Sequence, residues 1–83
     1  MAKFARDPKQ LGSLIRQARK TLGLSQVELA SRAGLRQETI SLIETGSPAT
    51  RIDTLLRLMA ALDLDLNIGS RSKTKPGDLE DIF

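Results

Sequence analysis

The chain has 83 residues, enough for one domain with a small core. It contains neither cysteine nor histidine, which removes disulfides, thiolate and imidazole metal sites and the usual general base. The formal charge of +3 is uneven: Asp78, Glu80 and Asp81 sit in the last six residues, so residues 1–77 hold 13 basic against 7 acidic groups, a net of +6.

A basic body with a short acidic end suits a polyanionic partner. No run approaches the roughly 18 apolar residues of a membrane span, and the N-terminus lacks the apolar core of a secretory leader. A cytoplasmic protein is expected, with no membrane contact, no cofactor, no metal and no small-molecule ligand. Nothing assembles a reaction centre: there is no carboxylate cluster or glycine-rich phosphate loop, so an enzyme is not expected.

Residues 1–7 (MAKFARD) read as a basic arm in which Phe4 either packs on the body or pairs as a strand. Asp7 as N-cap and Pro8 at the first helical position start a helix over about 8–22. Leu11, Leu14, Ile15, Ala18 and Leu22 repeat at helical spacing as its buried face, and Gly23 ends it.

The stretch Ser25–Gly46 (SQVELASRAGLRQETISLIETG) predicts two short helices around a tight turn. Ser25 and Glu28 have capping-box spacing. Leu29, Ala30 and Ala33 form a small apolar face, and Gly34 stands where the chain must turn. The second helix starts near Arg36. Leu35, Ile40 and Ile43 face the core, while Arg36, Gln37, Glu38, Thr39 and Ser41 crowd its first turns with hydrogen-bonding groups aimed elsewhere.

Gly46, as C-cap, and Ser47-Pro48 make the next loop. Thr50 and Asp53 repeat the capping-box spacing before a fourth helix over 51–62. That helix carries more apolar groups than one stripe can bury. Ile52, Leu55, Met59 and Leu62 are assigned to the core, and Leu56 and Leu58 are left for a partner surface.

Residues 63–68 (DLDLNI) then alternate with period two, which predicts a strand. A lone strand cannot satisfy its own backbone groups. Pairing with the same strand of a second copy would place Leu64, Leu66 and Ile68, with Leu56 and Leu58, in a two-fold dimer interface. Residues 69–83 are expected to be a disordered tail whose Leu79, Ile82 and Phe83 are either a docking peptide or solvated. The domain itself is thus assigned to residues 8–68.

The segment Leu24–Gly46, with LSQ-x-ELA-x-x-AGL followed by TIS-x-IE-x-G, resembles the helix-turn-helix of the phage-repressor-like, or XRE, family, and the likeness runs from Leu11 to Leu62. It implies an all-α, lambda-repressor-like fold of four to five helices, here with one short C-terminal β-strand pairing across a dimer. It also implies a repressor that binds palindromic operator DNA as a homodimer.

In that docking mode the second helix of the pair enters the major groove with its N-terminal residues on base edges, which carries over to Arg36, Gln37, Glu38, Thr39 and Ser41. Gln37 suits adenine, Arg36 a guanine or a phosphate, and Glu38 a cytosine amino group or merely the helix dipole. Arg36 departs from the capping Ser or Thr common in the family. Ser25 and Gln26 match positions where the first helix of the pair meets the DNA backbone. Thr45, Arg32, Arg51 and Arg16 are further phosphate candidates, and Arg19 and Glu44 match an ion pair within the domain.

The basic opening, the strand in place of a fifth helix and the tail ending in an aromatic residue resemble HipB-type antitoxins. That likeness implies autorepression and a HipA-like kinase toxin as partner, in a bacterial cytoplasm and on the nucleoid when DNA is bound. A plain XRE regulator without a toxin, and an interaction module that has lost DNA binding, remain the alternatives.

Overall fold

The computed structural model describes residues 3–71, so the far tail, with Leu79, Ile82 and Phe83, lies outside the described residues. Within them the chain forms four helices, α1 (Pro8–Thr21), α2 (Gln26–Ala33), α3 (Gln37–Glu44) and α4 (Ile52–Ala61). Each starts and ends within about a residue of the sequence expectation, because local caps set most of the ends.

Asp7 accepts the Gln10 N–H at 2.7 Å, and the Gln10 side chain accepts the Arg6 N–H at 2.7 Å, so the α1 entry is tied from both sides. Arg19 and Lys20 lie in its last turn, where cations complement the helix dipole. Gly34, at φ 68°, makes the left-handed turn between α2 and α3, and the Leu35 N–H donates to the Ala30 carbonyl at 2.9 Å to close it.

The core is one cluster of Ile15, Leu24, Leu29, Ala30, Ala33, Ile40, Ile43, Leu55, Leu58, Met59 and Leu62. Leu11, Ala18 and Leu35 pack on its margin, and Leu14 is half-buried. Gly12 brings α1 onto the end of α3: a Cβ there would collide with the Ile43 carbonyl oxygen and stand 2.7 Å from that of Glu44. Glycine inside a helix costs about 1 kcal/mol against alanine, and here it permits two backbones to touch. The end of α3 is therefore seated directly on α1.

Several expectations are corrected. Leu58, assigned to a dimer surface, is fully buried, while Leu56 is 44% exposed. Leu58 lies three residues from Leu55 and four from Leu62, on the same inward face of α4. Ile52 and Leu22, assigned to the core, are exposed, since each falls at a helix end where the neighbouring helices no longer cover it.

No capping box forms at Thr50 and Asp53. Arg51 is the N-cap of α4 and its side chain makes no capping bond, and the Asp53 carboxylate instead accepts from Arg51 Nε at 3.1 Å and the Thr54 N–H at 2.9 Å. The C-cap of α3 is Thr45, one residue before Gly46.

The strand over 63–68 is also corrected: no strand occurs among the described residues. Asp63 turns the chain at φ 59°, and the Leu64 N–H bonds back to the Met59 carbonyl at 2.8 Å, closing α4. Beyond it Leu64, Leu66 and Ile68 are exposed. Among the described residues no segment forms a ladder with this one, and Lys3–Ala5 is irregular too. No described helix is long and apolar enough to cross a membrane.

Candidate nucleic-acid interface

The site grows from the N-terminal ends of α2 and α3. The Ser25 hydroxyl accepts the Glu28 N–H at 3.0 Å, and the Glu28 carboxylate accepts the Ser25 N–H at 2.9 Å, so the capping box is complete. The remaining N–H groups of this turn form a partly positive end open to an anion.

The Ser25 backbone N–H, and after it the Ser25 hydroxyl, hold the Glu28 carboxyl below the ordinary glutamate range. A depressed native pKa stabilises the fold above the unfolded value of about 4.3 and ceases to do so as pH falls through the native one. Between pH 7 and pH 3, a range that spans that value of about 4.3, the stability difference between the native chain and Glu28→Gln should therefore be largest at neutral pH and shrink in acid. Thermal unfolding of both across this range measures it; a difference that does not change with pH would contradict the assignment.

Behind the capping box runs a bonded chain of side chains. Arg19 Nε donates to Glu44 Oε2 at 2.7 Å and Nη2 to Oε1 at 3.0 Å, while Nη1 reaches the Leu24 carbonyl at 2.8 Å. The Arg19 and Glu44 side chains are 10% and 3% exposed. The hydrogen bonds that Arg19 donates to Glu44 raise its guanidinium above its already high ordinary value. Gln26 Nε2 then donates to Glu44 Oε1 at 3.2 Å, and Gln37 Nε2 donates to Gln26 Oε1 at 2.9 Å.

The sequence singled out Gln26 only as a backbone contact. The structure gives its side chain a second task, joining a buried ion pair to an exposed glutamine on α3. No spacing signal announces this bridge, since Gln26 and Gln37 are brought together only by the turn at Gly34.

The remaining candidates are distributed as follows. Arg36 is the N-cap of α3 with no side-chain cap bond, which leaves its guanidinium directed outward. Glu38 is exposed in the first turn, where an anion favours the dipole, and Thr39 and Ser41 are half-buried. The Thr45 hydroxyl is engaged with the Ser41 and Leu42 carbonyls at 3.0 and 3.1 Å. Arg16 and Arg32 are exposed on α1 and in the last turn of α2, outside the bonded cluster. Arg51 forms an open surface pair with Asp53, with side chains 81% and 64% exposed, worth little in stability.

Two short helices thus bring exposed polar ends together at one corner. A helix-turn-helix family model matches residues 15–68. The chain belongs to the helix-turn-helix family of DNA-binding regulators. This domain is 39% identical over 62 residues to the ImmF control region 10 kDa protein of Bacillus phage phi105, covering 75% of this chain and 69% of that one. It is 29% identical over 74 residues to the antitoxin HipB of Escherichia coli K12, covering 89% and 84%.

Among solved structures, HipB in the HipA-HipB-O2-O3 complex superposes with a TM-score of 0.77 at 28% identity, over 89% of this chain and all of that one. The restriction-modification controller protein C.AhdI from Aeromonas hydrophila gives 0.66 at 31% identity, over 70% and 88%. The helix-turn-helix corner thus has relatives in phage control, restriction control and antitoxins.

Proposed function

We propose that this protein is a sequence-specific transcriptional repressor that binds palindromic operators as a homodimer and serves as the antitoxin of a HipA-like kinase module. The observation that carries the DNA reading is the corner itself. Ser25 and the α2 end face a phosphate, and α3 presents Arg36, Gln37, Glu38, Thr39 and Ser41 toward base edges. Arg16, Arg32, Thr45 and Arg51 supply outlying backbone contacts. The net charge of residues 1–77 favours the encounter and makes affinity fall with salt.

Gln37→Ala is the test. It should weaken binding to a selected duplex by about 1–3 kcal/mol per contact and leave nonspecific binding nearly unchanged. Equal loss on all DNA would contradict base reading.

The dimer reading rests on Leu56, Leu64, Leu66 and Ile68, which one copy leaves exposed, and on a groove of about 690 Å³ whose lining includes Phe4, Leu11, Leu14, Met59, Leu64 and Leu66. In the dimer these exposed side chains of two copies cover one another. Leu66→Asp should then give monomers in sedimentation; an unchanged dimer would remove the pairing.

The toxin partnership is supported by the likeness to HipB over 89% of this chain. Co-purification of a neighbouring gene's HipA-like kinase with this protein tests it. Without such a kinase the plain regulator is the better reading, and the likeness to the phage control protein favours that second reading.

A further inference from the structure

Building on the assignment of Gln37 to a base edge, we propose that the charge of Glu44 sets the polarity of the Gln26–Gln37 amide pair and thereby restricts Gln37 to adenine over guanine. An ionised carboxylate can only accept hydrogen bonds. Glu44 receives two from Arg19, and its Oε1 lies 3.2 Å from Gln26 Nε2. Gln26 must turn its NH₂ toward Glu44, because the opposite rotation would set carbonyl oxygen against carboxylate oxygen in a partly buried place.

That choice leaves Gln26 Oε1 facing α3, where it takes a hydrogen from Gln37 Nε2 at 2.9 Å. Gln37 then has one N–H and its carbonyl oxygen left for DNA. Adenine offers an acceptor at N7 and a donor at N6, which this pair matches. Guanine offers two acceptors, N7 and O6, and one of them would meet the Gln37 carbonyl.

With the relay reversed, Gln26 would donate to Gln37 Oε1 and both Gln37 N–H groups would be free, so guanine would be taken as well. Glu44 is 8% exposed and is a positioning residue: it acts on the base through two amides. Its own orientation is held by Arg19, so the polarity of the reading group is tied to the buried ion pair.

The experiment starts with duplexes selected from a randomised pool by the native chain, and with the position at which Gln37→Ala loses preference. A pool that yields no preferred sequence would overturn the DNA reading itself. A preferred sequence without adenine at the Gln37 position would overturn the relay alone.

A·T and G·C duplexes differing at that position are then compared for the native chain, Gln26→Leu and Glu44→Gln. The native chain should prefer A·T by roughly tenfold or more, and both variants should bring the two within about twofold, because the Gln37 amide then turns freely. Gln26→Leu leaves the ion pair in place and alone decides the matter if Glu44→Gln does not fold. A preference retained in Gln26→Leu, or in folded Glu44→Gln, overturns the proposal. A purely structural Glu44 would lower affinity for both duplexes equally and leave their ratio unmoved.

Discussion

Glu44→Ala should destabilise the domain by about 3–5 kcal/mol, since it strands the buried Arg19 guanidinium without its partner. Arg19 donates to both Glu44 oxygens, and its side chain is 10% exposed, so water cannot replace what is lost. Small domains have only about 5–15 kcal/mol to lose. At roughly 4–8 °C per kcal/mol for this size, the unfolding midpoint should fall by 10 °C or more.

Replacing both partners with apolar groups, Arg19→Met with Glu44→Leu, should recover much of the loss, because neither charge is then buried alone. Circular dichroism melts at one fixed protein concentration measure all three chains, because any association of copies would make the midpoint depend on concentration. If Glu44→Ala melts within a few degrees of the native chain, the pair does not hold α1 to α3.

Leu58→Ala should cost about 2–5 kcal/mol, the range for a leucine removed from a closed core. Its side chain is fully buried beside Leu55, Met59 and Leu62. Leu56→Ala, two residues away on the exposed side, should change the stability of the single domain by no more than about 0.5 kcal/mol. Urea unfolding separates the two. Were Leu58 a contact between copies, its truncation would instead release monomers and leave the fold of each chain nearly as stable as before.

Leu58 also shows where sequence pattern stops. Six large apolar residues from 52 to 62 announced a helix with a surplus, but the surplus could be assigned only once the neighbours were known. Leu55, Leu58, Met59 and Leu62 point inward together, and the residues left outside are Ile52 and Leu56. Similarly, the alternation at 63–68 describes a segment able to form a strand. A strand needs a second one beside it, and the described residues form none.

What the sequence determined by itself was local. Asp7-Pro8, the Ser25–Glu28 box and Gly34 mark their helix ends because a cap is an interaction between residues two to four positions apart. The motif around α2 and α3 placed Ser25, Gln37 and their neighbours at two helix starts for the same reason. The tertiary structure alone decided that Gly12 lets α1 touch the end of α3, and that Arg19, Glu44, Gln26 and Gln37 form one bonded line. Those contacts join residues 11 to 32 positions apart, and their direction depends on how helices are stacked. No periodicity in the chain encodes that angle; it follows from close packing of the whole core.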